Sequence, residues 1–464
     1  MSDLRDFEED LVRALSRLER LTPFAEILAQ ADRGESVRLD RHTLAVSQAP
    51  RLRGAVLRAW GGERWVEGAT SSLEGPSIAR ATDAVIQQLS KAAEKSPAPG
   101  EASTLHRSWT ERPSRPVSEA GVDEMIALAR DVLAWEGAVP GVTEGGVTLN
   151  WNDEERYYLN TAGARAYQLL CRAGGFATPI VIENGRVEFD YMSVGSLGGW
   201  ERYGAFSEES ITELARESRR LLAAKPPPTG TMSVLLDPAT SGTFAHESFG
   251  HGTEADQFLR DRSYLRPILG QVVAPETLTI VDDGAHPDGF GTLRFDDEGR
   301  ATQRTELIDR GRFVGALHDR VTAAALQARP TGNARRSDFL SRLFVRMTNT
   351  YVEPGDRSFE ELVEEAKNGV VLEHTTSGIE DPLGGQMQIK VKKGRKIENG
   401  QLTDLVTSMA LSGRVLDVLR QIRGVSRRAD FDMTPGFCGK GHTDSLPVGS
   451  GGSYLLTTAV VGPA

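Results

Sequence analysis

The sequence predicts an α+β protein, with an N-terminal α/β domain built on a mainly antiparallel sheet and a β-rich C-terminal domain that carries a metal helix. Helical periodicity alternates with strand pairs up to about residue 224, and most segments after Leu278 are short strands separated by glycine. Between them, Pro226-Pro227-Pro228 is stiff and cannot continue a helix. We therefore predict two domains, residues 1–225 and 226–464.

The N-terminal elements follow from the spacing of apolar residues. Helices are predicted over 4–20, 77–95, 118–135 and 208–224. Strands are predicted over 43–70, 146–149, 157–160, 179–182 and 187–191. The last four form two hairpins, the second joined at Asn184-Gly185. Residues 96–118 are rich in proline, serine and charge, which indicates an exposed linker.

The C-terminal elements begin with a predicted strand over 231–237, followed by a helix that contains two histidines. Beyond Leu278, only 358–368 and 407–423 have convincing helical patterns. The basic run from Lys390 to Lys396 is interpreted as a solvated hairpin tip.

The helix motif His246-Glu247-Ser248-Phe249-Gly250-His251 places two imidazoles and a carboxylate within six residues. Imidazoles are good zinc ligands, and an adjacent glutamate can accept a proton from water at the metal. Residues five apart lie about 140° apart around a regular helix, so the two imidazoles could not share one ion there. A π-type turn would bring them together, and Gly250 most easily permits it. The HExxxH pattern alone is also compatible with a chance grouping of these residues on a solvated helix face.

The third ligand would be one of two cysteines. Cys438 lies in a glycine-rich segment that is predicted to be a turn, where Lys440 favours the thiolate. It would complete a His-His-Cys set with a fourth position open to water. Cys171 is interpreted as a small residue in a half-buried segment. Glu254 and Asp256 could orient an imidazole or could be solvent-facing acids.

Several sequence blocks resemble the TldD/PmbA family of bacterial and archaeal metallopeptidases, also labelled modulators of DNA gyrase. The similarity runs from about residue 145 to the C-terminus and is to the metal-bearing TldD branch, since the PmbA branch lacks the HExxxH ligands. The blocks are His246-Glu247 to His251, Gly291-Thr292, Asp297-Glu298-Gly299, Gln303-Arg304-Thr305, Leu317-His318-Asp319-Arg320, Gly332 to Arg336, Arg346 to Thr350, Ile397 to Gly400 and Cys438-Gly439-Lys440.

The resemblance implies one zinc ion per active subunit, bound by His246, His251 and Cys438, with Glu247 as the general base. His442 stands where the family usually has an amide, and it could assist the oxyanion, compete as a ligand or be a polar turn residue. The resemblance also implies that short or unfolded peptides are hydrolysed inside an enclosed dimer cavity. The dimer would be a homodimer or a heterodimer with a metal-free paralogue.

The alternative function is a non-catalytic scaffold or chaperone-like partner with a structural metal site. Such a site normally has four protein ligands, and His442 would be the fourth.

Composition restricts the partners and the location. The formal net charge of -11 argues against direct nucleic-acid binding, which normally requires a basic surface. The chain lacks an apolar run of about 18 residues, so no membrane helix is expected. The acidic N-terminus and two cysteines far apart in sequence predict a cytoplasmic protein without disulfides.

Overall fold

The fold is seen in a computed structural model that describes residues 3–48, 52–62, 64–89, 100–440 and 443–464. The strands are β1 (Phe24–Asp40), β2 (Leu44–Gln48), β3 (Leu52–Trp60), β4 (Trp65–Thr70), β5 (His106–Glu111), β6 (Val142–Asn160), β7 (Arg165–Glu183), β8 (Arg186–Phe189), β9 (Met192–Leu197), β10 (Gly230–Leu236), β11 (Ile280–Asp283), β12 (Arg304–Asp309), β13 (Arg312–Phe313), β14 (Ala334–Arg335), β15 (Phe344–Val345), β16 (Asn349–Val352), β17 (Gly369–Glu380), β18 (Gln386–Glu398), β19 (Gln401–Val406), β20 (Met409–Arg414), β21 (Gly424–Val425), β22 (Asp432–Lys440), β23 (Thr443–Gly452) and β24 (Leu455–Pro463).

Helices connect these strands. The α-helices are α1 (Glu8–Glu19), α2 (Gly75–Leu89), α3 (Val117–Ala120), α4 (Val122–Gly137), α5 (Glu208–Arg220), α6 (Pro238–Thr243), α7 (His251–Thr253), α8 (Ala255–Leu259), α9 (Arg320–Ala325), α10 (Phe359–Ala366) and α11 (Val415–Arg420). A π-helix spans Phe244–Gly250. Short 3-10 helices span Leu4–Phe7, Trp200–Ala205, Leu221–Ala223, Arg266–Ile268 and Arg428–Asp430.

The N-terminal part is built on a nine-stranded sheet with the order β4-β3-β1-β6-β7-β5, with β2 paired to β1 and with β8 and β9 paired to β7. Its pairs are antiparallel except β5 with β7. Amphipathic helix α1 packs Leu11, Leu15 and Leu18 against one face, because these residues recur at helical spacing. The mainly antiparallel N-terminal sheet is confirmed.

The C-terminal part contains a seven-stranded sheet with the order β10-β17-β18-β20-β24-β21 and a six-stranded sheet with the order β13-β12-β11-β16-β23-β22. Strand β10 pairs with both β17 and β24, which closes five strands of the first sheet into a ring. The largest apolar core of the protein lies in this part and includes Phe244 and Phe249 of the π-helix. The prediction of a β-rich C-terminal part is confirmed.

Several N-terminal predictions were wrong. Strand β1, the first long strand, was not predicted, and the hairpin expected from 146–149 and 157–160 is one continuous strand, β6. The proposed linker 96–118 contains β5, which pairs with β7, although residues 96–99 lie outside the described chain. The hairpin at Asn184-Gly185 is confirmed, because both residues have the positive φ, 52° and 77°, that its tight turn requires.

Two C-terminal predictions also need correction. Residues 409–414 of the helix predicted over 407–423 form β20, and only α11 is helical there. The basic run at Lys390–Lys396 lies within β18 rather than at a hairpin tip. Lys392 and Lys393 are 7% and 6% exposed there, and each forms an ion pair with a carboxylate of the N-terminal part. Their charges are thus neutralised by distant partners.

Buried ion pairs join the two parts of the chain. The Nη1 atom of Arg58 lies 3.0 Å from Oε1 of Glu298, and Nη2 of Arg320 lies 3.0 Å from Oε2 of Glu26.

The proposed domain boundary at residue 225 precedes β10 and stays a prediction. Within the described residues, no helix combines the length and apolar character needed to cross a membrane.

Candidate metal centre

The histidine motif lies on a helix that changes its hydrogen-bond pattern partway along. Asp237 begins α6 by accepting a hydrogen bond from Thr240 N at 2.7 Å, and Pro238 occupies the first helical position. The next turns are π-helical, and the N–H of His251 donates to the carbonyl of His246, five residues earlier. This i to i+5 pattern brings residues 246 and 251 to the same side, so the predicted π-type turn is confirmed.

The two imidazoles meet Cys438. The ring centroids of His246 and His251 are 5.1 Å apart with an interplanar angle of 84°. The sulfur of Cys438 lies 3.3 Å from Nε2 of His251, and one ligand atom from each residue falls within 4.8 Å of the others. Ligand atoms of one tetrahedral zinc ion are about 3–4 Å apart, so the group needs only a small closing movement to hold one.

Cys438 comes from a strand rather than from the predicted turn. It lies in β22 opposite Leu446 of β23, and its carbonyl accepts a hydrogen bond from the guanidinium of Arg346. His442 lies outside the described residues. The strand therefore holds the sulfur at the metal helix through regular pairing and one buried arginine.

The two cysteines differ in acidity. Burial raises the pKa of the Cys438 thiol, but hydrogen bonds and charge interactions with His246 and His251 outweigh it and bring the pKa to about 4. Lys440, expected to favour the thiolate, instead directs its ammonium to carboxylates, 2.9 Å from Glu254 and 2.7 Å from Asp256. Burial raises the pKa of Cys171, which is a buried small residue in β7. Cys438 is the cysteine suited to bind a cation as thiolate.

Glu254 and Asp256 occupy different positions around the histidines. Oε2 of Glu254 lies 3.4 Å from Nδ1 of His251, and Glu254 is fully buried, so it is not a solvent-facing acid. Burial raises the pKa of Glu254, but Lys440 and His251 hold it well below its usual range. Asp256 contacts the ammonium of Lys440, which also contacts Glu254. Of the two acids, Glu254 has the geometry to orient an imidazole.

Glu247 lies beside the group with its carboxylate towards open space. Its Oε2 is 3.9 Å from Nε2 of His251, and its side chain is 23% exposed. Burial raises the pKa of Glu247, while the neighbouring histidines lower it. A Cβ at Gly378 would come within 2.5 Å of Cγ of Glu247, so only glycine lets β17 pass this close. Gly378 was not predicted to belong to the site. It lies 131 positions after Glu247 in the sequence, and no local pattern reveals a contact over that distance.

His246 and Glu247 open into a cavity of about 580 Å³ between the two parts of the chain. One wall comes from β7, β8 and β9, and the other from β17, β22 and β23. Aromatic residues from both walls face the space, among them Phe176, Tyr191 and Phe437. The sequence pattern did not single out these aromatic residues, because their proximity to the metal helix depends on long-range packing.

A largely buried His-His-Cys group beside a glutamate, at the wall of a cavity, is typical of a metal-dependent hydrolase. Family models match most of the chain: the PmbA/TldA metallopeptidase central domain over residues 115–225 and the PmbA/TldA metallopeptidase C-terminal domain over residues 229–461. The chain belongs to the PmbA/TldD family of metallopeptidases.

The names of two relatives are consistent with this family assignment. A metalloprotease from Methanothermobacter thermautotrophicus is 36% identical over 356 residues, which are 76% of this chain and 76% of that protein. A zinc metalloprotease TldD homolog from Saccharolobus solfataricus is 33% identical over 247 residues, 53% of this chain and 54% of that protein.

Solved structures share the fold. A Thermotoga maritima protein whose name associates it with modulation of a DNA gyrase aligns with a TM-score of 0.80 at 22% identity, over 98% of this chain and 100% of that one. TldE from Thermococcus kodakarensis aligns with a TM-score of 0.73 at 16% identity, over 98% of this chain and 100% of that one. At these identities the likeness extends to the fold alone.

Proposed function

We propose that the protein is a zinc-dependent peptidase that hydrolyses short or unfolded peptides. The observation that carries this proposal is the convergence of His246, His251 and Cys438 within 4.8 Å beside Glu247. The three residues would hold one zinc ion and leave a fourth position for water. Two imidazoles and a thiolate are a donor set that suits zinc, and the Saccharolobus relative is named a zinc metalloprotease.

The fit to a cation is supported by the electrostatics of the group. Contacts with Cys438 and Glu254 raise the pKa of His251 well above its usual value, against burial, and Cys438 has a pKa of about 4. The same contacts favour the thiolate form of Cys438, which is the form that binds a cation. Metal binding would require neutral imidazoles together with this thiolate.

Glu247 is the proposed general base. When bound, zinc supplies Lewis acidity, which lowers the pKa of a coordinated water and polarises a substrate carbonyl. Glu247 accepts the proton of the attacking water and delivers it to the departing amine. Burial helps this role, since it raises the pKa of Glu247 towards the working pH.

The substrate is proposed to bind as an extended strand. Strand β17 pairs with β10 only over residues 369–372, so the edge of residues 375–378 facing the cavity has no strand partner among the described residues. Strand β22 pairs with β23 alone within the same described chain. Two strand edges thus flank Glu247. A peptide backbone could form main-chain hydrogen bonds with either edge. Most of the backbone of a folded protein is already hydrogen-bonded within its own helices and sheets, whereas an unfolded peptide offers its backbone freely.

The partner is proposed to be a second subunit, either an identical chain or a metal-free paralogue, that encloses the cavity. An enclosed cavity would protect folded cytoplasmic proteins from an open zinc cleft. No direct contact with nucleic acid is proposed, because the net charge is -11.

The test is a peptidase assay on an unfolded casein, with the metal content of the purified protein measured in parallel. We expect cleavage that a chelator abolishes and added Zn²⁺ restores, with little change in melting temperature. A chelator that unfolds the protein, in a zinc-loaded preparation that cleaves nothing, would overturn the proposal and support a scaffold with a structural metal.

A further inference from the structure

The cavity beside the metal centre is almost free of charge. Apart from His246 and Glu247, its described lining residues are apolar, aromatic, hydroxyl-bearing or glycine. This is unusual in a chain in which 26% of all residues are Asp, Glu, Lys or Arg. A charged substrate side chain that entered would lose its water without gaining a partner. The lining therefore disfavours acidic and basic residues next to the reacting bond.

Large aromatic rings remain exposed inside this space. Phe176 of β7 is 47% exposed and Phe437 of β22 is 64% exposed, and they come from opposite walls. Exposed rings in a concave site gain contacts when an apolar side chain enters between them. Phe189, Tyr191 and Val448 extend the same apolar surface.

The walls are held in place by contacts among their own residues and with neighbouring residues. The ring of Phe437 packs edge to face on Phe290 with centroids 5.4 Å apart. The hydroxyl of Tyr191 donates to the carbonyl of Thr375, and its ring packs on His374 at 5.5 Å. Lys392 places its ammonium 4.0 Å from the centroid of the Phe189 ring. The apolar pocket is thus preformed, which lowers the entropy cost of binding.

We infer that this cavity selects peptides with an aromatic or large aliphatic side chain next to the scissile bond, and rejects acidic and basic side chains there. The inference rests on the proposed peptidase function, because it assigns the cavity to the substrate of Glu247. Burial of a large apolar side chain in a preformed pocket corresponds to roughly a 10- to 100-fold preference in kcat/KM over alanine.

The test uses the zinc-loaded protein and a set of quenched fluorescent peptides that differ at one position, occupied by Phe, Leu, Ala, Glu or Lys. Cleavage sites are located by mass spectrometry. We expect Phe and Leu to be preferred over Ala, and Glu and Lys to be cleaved least. Equal cleavage of all five peptides would overturn the specificity and leave the peptidase proposal intact. Failure to cleave any peptide would count against the peptidase proposal itself.

Variants distinguish specificity from damage to the fold. Phe176→Ala should lower the ratio of kcat/KM for the Phe peptide to kcat/KM for the Ala peptide about tenfold. Phe176→Arg should make kcat/KM for the Glu peptide higher than kcat/KM for the Phe peptide. A misfolded variant could not gain activity towards the Glu peptide in this way. Val187→Ala is the matched control, because Val187 is 57% exposed on neighbouring β8 and does not line the cavity. Unchanged selectivity in both Phe176 variants would contradict the inference.

Discussion

The sulfur of Met347 fills the space beside Gly250, where a Cβ would lie only 2.1 Å from Sδ. Gly250 has an ordinary helical φ of -57°, so conformational freedom is not what requires glycine at this position of the motif. Close packing requires it. Met347 follows Arg346, whose guanidinium holds the carbonyl of Cys438, so this contact connects the metal helix to the segment that anchors the third proposed ligand.

Gly250→Ala should therefore destabilise the protein by about 1–3 kcal/mol through overpacking and lower its zinc occupancy. Thermal unfolding and metal analysis measure both effects. In a double-mutant cycle, Met347→Ala should recover part of the loss. Gly204→Ala is the control, because a Cβ there meets nothing within 4 Å. Equal effects of the two glycine substitutions would show that the contact with Met347 is not the cause.

Glu247→Gln should keep the metal and lower kcat by about 10²- to 10⁴-fold, because an amide cannot accept the proton. The measurement combines metal content with single-turnover cleavage of an unfolded substrate. The variant is nearly isosteric, so its melting temperature should stay close to that of the wild type. Full activity in a metal-loaded variant would remove Glu247 from the role of base.

Cys438→Ser should lower zinc occupancy, because a neutral hydroxyl is a poor zinc ligand. Cys171→Ser should leave occupancy unchanged, since burial raises the pKa of that thiol and keeps it protonated. Metal analysis after dialysis against a weak chelator makes the comparison. The assignment of the third ligand is wrong if the two variants lose zinc to the same extent.

Glu136 should make stability depend on pH. It is fully buried on α4, and burial raises its pKa to about 8 from an ordinary value of 4.5. Between these values the unfolded chain releases a proton that the folded chain keeps, so this residue makes stability fall as pH rises from 4.5 to 8. The difference between a pKa of 4.5 and a pKa of about 8 corresponds to about 5 kcal/mol.

Glu136→Gln should flatten that decline and raise the melting temperature at pH 8 more than at pH 5. Asp131→Asn, an exposed substitution on the same helix, serves as the control and should leave the slope unchanged. Parallel melting curves of wild type and Glu136→Gln across this range would refute the raised pKa.

The active particle should be a dimer that cleaves only unfolded or short peptides. Light scattering gives the particle mass, and a folded protein is compared with its permanently unfolded form as substrate. Cleavage of the unfolded form should exceed that of the folded form by more than tenfold. A monomer that digests both at similar rates would exclude an enclosed chamber, while the metal-site assignment would survive.

Local patterns in the sequence were sufficient to predict elements that bury only one face. The helix α1 has an apolar stripe, and the hairpin between β7 and β8 has its Asn-Gly turn. Strand β1 has no such signal, because both its faces are buried: Ile27 packs towards the N-terminal helices and Leu28 towards Phe295 of the C-terminal part. Without alternation, a buried strand cannot be recognised by its periodicity.

Buried charges caused the other errors. Residues 153–156 are four consecutive charged residues between the two strands predicted over 146–149 and 157–160, yet they are at most 5% exposed within β6. Asp153 pairs with Arg33, 120 positions earlier, and Glu154 with Arg172 of the next strand. In the same way, the partners of Lys392 and Lys393 lie about 200 positions away. A sequence shows the charges but not the pairing that allows their burial.

The sequence predicted the residues of the candidate metal centre but not the residues that surround them. His246, Glu247 and His251 form a local motif, and only two cysteines were available as the third ligand. Gly378, Met347 and Phe176 touch the motif or its cavity from distant elements, so their placement required the fold.

The separation of the proposed ligands has a consequence for synthesis of the protein. Cys438 is translated 187 residues after His251, and β22, which carries it, pairs with β23, the strand that follows. A nascent chain on the ribosome therefore carries both histidines and Glu247 for a long interval without a complete metal centre. Under the proposed function, hydrolytic competence would arise only after Cys438 has joined the two histidines, so an unfinished chain would not digest itself or its neighbours.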